Sequence, residues 1–147
     1  MSNLRISYAA PRSDAFKALR DDCGWGDITR AQAQLALTRS LMTAACYEGD
    51  TLVGFARLVG DGVLNIYVQD VIVTPLARGR GIGRMVLRAL ISKATDHYDG
   101  AATLGLMAAS GKRDFYARQG FRVRPNNAQG PGMSATCSQL KQTKQQW

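Results

Sequence analysis

Hydrophobic and polar positions follow two periods along the chain, and together they predict a series of strands and helices. Short runs rich in β-branched and aromatic residues, separated by glycine turns, predict six or seven strands. These runs cover residues 4–8, 42–47, 52–59, 67–73, 103–107, 121–123 and 134–140. Apolar residues spaced three or four apart predict helices. The helices cover about residues 13–20, 29–40, 82–94 and 110–120, and a polar tail is expected at 141–147.

The order of these elements predicts a mixed α+β fold. Residues 48–50 and 60–62 have the composition of tight turns, so the strands that they join are expected to be antiparallel. The strand at 67–73 is followed by a helix and then by the strand at 103–107, and such a crossover makes two strands parallel. We therefore predict one domain over residues 1–147, in which a central sheet of about six or seven strands is flanked by about four helices.

Composition places the chain among ordinary globular proteins. It has 147 residues, of which 46% are hydrophobic and 20% are charged. No apolar run approaches the ~18 residues of a membrane span, and the N-terminus has no signal-peptide pattern. We therefore expect a cytoplasmic protein without a membrane partner. Three cysteines without CxxC spacing and a lone histidine, His97, predict reduced thiols and no metal site.

The stretch from residue 67 to 91 combines a buried strand, a glycine-rich turn and the start of an amphipathic helix. Pro75 ends the strand because proline has no N–H to donate. A helix start of this kind binds anions, because free backbone N–H groups point outward, the helix dipole adds positive charge and glycine allows close approach. The sequence thus predicts a phosphate site. Its residues are Arg78, Gly79, Arg80, Gly81, Ile82, Gly83 and Arg84.

Spacing narrows the choice of phosphate ligand. A Walker A loop needs a lysine and a hydroxyl after its last glycine, and a Rossmann fingerprint needs a glycine where Arg84 stands. The remaining pattern, R-x-x-G-x-G over residues 78–83, resembles the pyrophosphate motif of the Gcn5-related N-acetyltransferase (GNAT) family. The resemblance implies acetyl-coenzyme A as co-substrate. It also implies further cofactor contacts, from Val71, Ile72, Val73 and Ser110. Many family members have an asparagine where this chain has Ala109.

A second stretch, Phe115-Tyr116-x-x-x-Gly120-Phe121, is similar to the family's FY-x-x-x-GF helix. In that helix the tyrosine hydroxyl lies beside the sulfur of coenzyme A. A phenol with a pKa near ~10 can protonate a departing thiolate, so Tyr116 is the expected general acid. The alternative is a tyrosine that only packs beside Phe115.

The amine that accepts the acetyl group must lose a proton, and Asp70 is the predicted general base, with Glu48 and Asp27 as weaker alternatives. A carboxylate inside an apolar strand must either pair with a cation or shift its pKa, so a salt-bridged, purely structural Asp70 stays an alternative. Asp70 could instead bind a cationic amine.

Trp25, in a glycine-rich loop, is either a packing anchor or part of the acceptor site. Met133, in the loop at 126–133, is a second predicted acceptor contact.

A net charge of +8 leaves nucleic acid open as a partner, but the scattered basic residues lack interleaved aromatic groups and disfavour it.

From about residue 52 to 133 the chain is similar to the GNAT branch that includes plant serotonin N-acetyltransferases. The resemblance predicts acetyl transfer to a small primary amine, such as an arylalkylamine, a polyamine or an amino acid. The alternatives are acetylation of a protein lysine or N-terminus, a toxin that acetylates aminoacyl-tRNA, and a non-catalytic acyl-coenzyme A sensor. A homodimer is left open.

Overall fold

The computed structural model describes residues 3–147, which form two compact units. One unit ends at Leu106 and the other runs from Met107 to Trp147. The elements of the first unit, in chain order, are β1 Leu4–Ser7, α1 Ser13–Asp22, α2 Arg30–Thr38, β2 Met42–Glu48, β3 Thr51–Gly60, β4 Asn65–Val73, a 3₁₀ turn Pro75–Ala77, α3 Ile82–His97 and β5 Thr103–Gly105. The second unit contains α4 Arg113–Ala117 and α5 Cys137–Lys144.

The sheet of the first unit has the order β1-β2-β3-β4-β5. Its first four strands are antiparallel neighbours, and β5 pairs in parallel with β4. The two glycine turns and the helical crossover thus give the strand directions that the sequence predicts. A mixed sheet with helices against it confirms the predicted α+β class.

Helices cover both faces of this sheet. Side chains alternate between the faces along each strand, and the central strands carry buried residues at successive positions, so both faces need covering. Phe55 and Ile72 are buried on one face, in a cluster with Phe16 and Leu19 of α1 and with Leu37 of α2. The opposite face receives α3. The buried residues of that helix follow helical spacing and are Ile82, Val86, Leu87, Leu90 and Ala94.

The second unit has a different character, since none of its residues is fully buried. Its half-buried side chains belong to α4 and the residues that follow, namely Phe115, Tyr116, Gln119 and Phe121. The helix α5 begins with a capping box, in which Thr136 and Gln139 bond each other's backbone N–H.

Several predicted boundaries are wrong, and most lie in the second unit. The sheet has five strands among residues 3–147 instead of six or seven, because 121–123 and 134–140 form no strand. Part of the second segment is helical, since the capping box at Thr136 starts α5, which also takes in the first residues of the expected tail. The described chain has five α-helices instead of about four. The single-domain arrangement remains a prediction. No helix of residues 3–147 has the length and apolarity to cross a membrane.

Candidate active site

The glycine turn before α3 has the backbone geometry of an anion site. Gly79 and Gly81 both have φ of +78°, a left-handed conformation that side chains rarely adopt. Gly81 is the N-cap of α3, and its carbonyl accepts the N–H of Met85 at 3.0 Å. The N–H groups of residues 82–84 therefore precede the first intrahelical bond and stay available to a ligand. A Cβ on Gly79 would meet no atom within 4 Å, so its backbone faces open space.

The three arginines of this turn have different surroundings. Arg80 makes a bidentate salt bridge with Glu48 at the end of β2, with N–O distances of 3.0 and 2.8 Å. Hydrogen bonding from Arg80 lowers the pKa of Glu48. Arg78 folds back toward the strand end, where its Nε donates to the Val73 carbonyl at 3.3 Å. Arg84 is exposed and has no ion-pair partner within residues 3–147, so it is free to meet a phosphate.

A glycine in β3 sets how closely the start of α3 approaches the sheet. A Cβ built on Gly54 would lie closer than 3.0 Å to Cγ2 of Ile82, a distance that real Cβ atoms essentially never show. Ile82 is 1% exposed and β-branched, so its methyl has little freedom to move away. Gly54 thus allows the first turn of α3, and with it the glycine turn, to sit directly on the strands.

The strand β4 contains a bulge at its centre. Phe55 pairs with Ile72 and Arg57 pairs with Gln69, so one residue of β3 faces two of β4. At the bulge Asp70 has φ of +55°, and it is the one residue other than glycine in the described chain with a positive φ. Bulges of this kind bend a strand and redirect its backbone groups.

Beyond the bulge, one edge of β4 has no strand beside it. The pairing with β5 covers residues 65–67, whereas β4 continues to Val73, and no other strand of residues 3–147 pairs with that edge. Thr74 donates its N–H to the carbonyl of Val53 on β3 at 2.9 Å. Because backbone groups alternate between the two edges, the amides of Val73 and Val71 point to the uncovered edge. Val71 and Val73 are among the cofactor contacts that the family resemblance implies.

The side chain of Asp70 is completely buried and lies between two arginines. Its exposed fraction is 0%, against 17% for Arg20 of α1 and 14% for Arg57 of β3. Arg20 Nη1 donates to Oδ1, and Arg57 Nε donates to Oδ2 at 2.7 Å. The sequence left Asp70 as a base, as a binder of a cationic amine or as a salt-bridged structural residue. This geometry favours the salt-bridged residue, because an amine has no open path to either carboxylate oxygen. A catalytic role of Asp70 remains a prediction.

The same arginines also contact the loop before α2 and the end of α2. Arg20 Nη2 donates to the carbonyl of Trp25 at 2.6 Å. Arg57 Nη1 lies 3.4 Å from Ser40 Oγ and 3.5 Å from the carbonyl of Ala36, at the end of α2. The indole of Trp25 is partly buried against the cluster of α1 and α2, so it acts as a packing anchor. Its role in acceptor binding stays a prediction.

In the second unit, Tyr116 lies in a small aromatic group. Its ring centroid is 4.9 Å from that of Phe115 and 6.2 Å from that of Phe121, both in edge-to-face geometry. Burial raises the pKa of the Tyr116 phenol above its usual value, which keeps the hydroxyl protonated at neutral pH. Ser110, which precedes α4, is exposed. Met133, in the loop between α4 and α5, is 84% exposed.

Sequence reasoning missed three residues of this arrangement, namely Gly54, Arg20 and Arg57. A glycine inside an otherwise apolar strand is a known sign of close approach by another backbone or side chain, so Gly54 could have been identified. An arginine inside the apolar run 52–59 is a similar sign of a buried acidic partner. For Arg20 the sequence carries no signal. Within residues 3–147, no three His, Cys, Asp or Glu side chains are placed to hold a metal.

The chain is similar to several known proteins. A family model described as an acetyltransferase (GNAT) domain matches residues 39–123. An N-acetyltransferase ycf52 of Gracilaria tenuistipitata is 30% identical over 119 residues, 78% of this chain and 64% of that protein. Serotonin N-acetyltransferase 2, chloroplastic, of Oryza sativa is 34% identical over 91 residues, 62% of this chain and 44% of that protein. The chain therefore spans less than two thirds of the length of these relatives.

A solved structure of a GNAT family acetyltransferase from Streptococcus pneumoniae superposes with a TM-score of 0.72 at 26% identity. The match covers 92% of this chain and 98% of that one.

Proposed function

This chain belongs to the GNAT acetyltransferase family, and from that membership we propose that it transfers an acetyl group from acetyl-coenzyme A to a primary amine. One observation carries the proposal. A left-handed glycine turn with free helix N–H groups lies directly after a strand whose far half has an uncovered edge. A strand edge that is open to a ligand and is followed by an anion site suits a long ligand with phosphates at one end.

The residues of the first unit fit coenzyme A. The N–H groups of residues 82–84, the open space at Gly79 and the exposed Arg84 would hold the pyrophosphate. The uncovered edge of β4 would hydrogen-bond the amide-containing arm of the cofactor, as an added strand would. When bound, acetyl-coenzyme A supplies an acetyl group activated as a thioester.

The amides of Val71 and Val73 are the two proposed donors, one to the acetyl oxygen and the other to the cofactor arm, because amides two residues apart on a strand lie about 6.6 Å apart and cannot both bond one atom. That oxygen gains negative charge as the amine nitrogen bonds to the carbonyl carbon, and fixed backbone donors stabilise such charge without reorganisation. The bulge at Asp70 supports this role, because it sets the direction of the amide that follows. Ile72, between the two donors, is 1% exposed and fixes the strand against the core.

Tyr116 is the proposed general acid. As the carbon–sulfur bond breaks, the phenol would give its proton to the departing thiolate. The raised pKa caused by burial supports the proposal, because the hydroxyl stays protonated throughout the neutral range.

The amine's own proton has to leave by another route. Asp70 was the sequence-based candidate, but its side chain has no exposed surface and both of its oxygens accept from arginines. We therefore assign this proton to solvent water. The neutral fraction of the amine then sets much of the pH dependence below the amine's own pKa.

For the acceptor we propose a small primary amine, with arylalkylamines first. The support is the rice relative, whose name states serotonin as its acceptor. The direct test is a thiol-release assay with acetyl-coenzyme A across arylalkylamines, polyamines, amino acids and lysine peptides, with product masses measured. Release with one small-amine class, and a mass gain of one acetyl group, supports the proposal. Turnover with peptides alone would assign a protein acceptor, and binding without turnover would assign a sensor.

A further inference from the structure

We propose that Arg20 and Arg57 are positioning residues, which act through Asp70 to hold the bulge of β4 in its active shape. The proposal rests on the proposed acetyl transfer, because the bulge matters chemically only if the amides beyond it serve the reaction. It replaces the role of base for Asp70 with that of an anchor. It also assigns a function to two residues that the sequence did not single out.

The first step of the argument concerns the backbone. Asp70 adopts a left-handed conformation in the middle of a strand, at φ of +55°. Non-glycine residues persist in this region only where their surroundings fix them, although aspartate and asparagine tolerate it better than other residues. The strand neighbours do not fix Asp70, because the bulge interrupts the ladder between the pairs Arg57–Gln69 and Phe55–Ile72. The side chain must therefore supply the constraint.

The second step concerns the side chain, which two guanidinium groups hold from different elements. Arg20 comes from α1 and bonds one carboxylate oxygen, while Arg57 comes from β3 and bonds the other at 2.7 Å. With 0% exposure, the carboxylate has no solvent to replace a lost partner. Loss of either arginine leaves a buried charge with one partner, and the local structure must shift to relieve it.

The third step concerns coupling to the acceptor side. Arg20 also binds the carbonyl of Trp25, in the loop predicted to contact the acceptor, and Arg57 approaches the end of α2 through Ser40. One carboxylate thus ties the loop after α1, the end of α2 and the bulge together. Movement of the loop on acceptor binding would reach the amide of Val71 through this network.

The test uses Arg57→Lys, Arg57→Gln and Asp70→Asn, with Arg12→Gln as a matched control. Arg12 also pairs with an aspartate, Asp14, but its side chain is 84% exposed. Each variant is assayed for kcat, for KM of the amine, for affinity to acetyl-coenzyme A by calorimetry, and for melting temperature. We expect Arg57→Gln to lower kcat about 10- to 100-fold, the scale of a misplaced catalytic group. Arg57→Lys should recover part of the loss, and Arg12→Gln should match the parent.

Dependence on pH separates an anchor from a base. If Asp70 is an anchor, Asp70→Asn should lower kcat by the same factor at every assay pH from about 6.5 to about 9.5. A loss that shrinks as pH rises would assign Asp70 as the base and overturn the proposal. Unchanged kcat in Arg57→Gln and Asp70→Asn would also overturn it, by leaving Arg57 and Asp70 with a role in stability alone.

Hydrogen exchange tests the proposal independently of activity. In Arg57→Lys, chosen as the variant that keeps a positive charge, amides of residues 68–74 and 22–29 should exchange faster than in the parent, while α3 stays unchanged. Exchange at the parent's rate in residues 68–74 and 22–29 would contradict the proposal. If the parent turns over no amine, the proposed acetyl transfer fails, but this exchange pattern still decides whether the arginines hold the bulge.

Discussion

Ile82 occupies the space above Gly54 where any larger residue would place its Cβ. The contact joins the third strand to the first turn of α3, so it fixes the height of the glycine turn over the sheet. A hydrogen atom in place of a Cβ on residue 54 is therefore a condition for the shape of the predicted cofactor site.

Gly54→Ala should lower the free energy of unfolding by about 1–3 kcal/mol, the usual cost of overpacking a core. It should also weaken binding of acetyl-coenzyme A, because the start of α3 must move outward. Removing the opposing methyl in Ile82→Ala should relieve the clash, so the double variant should cost less than the sum of the two single changes. Chemical denaturation of all four proteins measures this coupling. Strict additivity would show that Gly54 and Ile82 do not constrain each other.

Tyr116→Phe should lower kcat by about 10- to 1,000-fold, the range expected for one acid–base group, with little change in cofactor affinity. Because burial raises the pKa of Tyr116, the kcat of the parent should not decline at any pH below ~10, where an ordinary phenol ionises. Tyr98→Phe is the matched control, since burial also raises the pKa of Tyr98. A kcat within twofold of the parent in Tyr116→Phe would remove this residue from the chemistry.

Glu48→Gln should tighten binding of acetyl-coenzyme A by about two- to fivefold at low salt, the scale of an exposed ion pair. The change removes the carboxylate that neutralises Arg80 and so leaves that guanidinium to the phosphates. Added salt should reduce the gain, since the charges are partly exposed. Calorimetric titration at two salt concentrations checks both effects. Weaker binding would mean that the salt bridge holds the turn in place instead of competing with the ligand.

Asp61 gives a pH prediction in the turn between β3 and β4. Hydrogen bonds from the backbone N–H groups of Asn65, Val63 and Leu64 lower the pKa of Asp61 to about 2. The folded pKa lies below the unfolded one, so the stabilisation is complete above pH ~4 and is lost as pH falls toward 2. Asp61→Asn should therefore melt at a lower temperature than the parent at pH 6.

That difference in melting temperature should narrow between pH 4 and pH 3. A pH-independent difference for Asp61→Asn would indicate that the carboxylate charge plays no part.

The sequence predicted those features that depend on neighbouring residues. Tight turns at 48–50 and 60–62 and the helical crossover gave the strand directions, because each depends on local composition. The glycine turn was found for the same reason, since φ of +78° at Gly79 and Gly81 requires glycine.

The features that the sequence did not predict depend on distant partners or on weak patterns. Asp70 meets Arg20 from 50 residues away and Arg57 from 13 residues away, and no spacing rule connects them. The segment 134–140 is predicted as a strand, whereas the capping box at Thr136 starts a helix there. Its exposed residues bury too little surface to make their period visible.

The most direct test of the account is calorimetric titration of acetyl-coenzyme A into the parent, Gly81→Val and Gly100→Val. Gly81 has a left-handed backbone at the N-cap of α3, whereas Gly100 has an ordinary φ and open space around it. We predict one binding site per chain in the parent, an affinity at least about tenfold lower in Gly81→Val, roughly 1.4 kcal/mol, and parent-like binding in Gly100→Val. Equal affinity in all three folded proteins would contradict the account, because the glycine turn would then not be where coenzyme A binds.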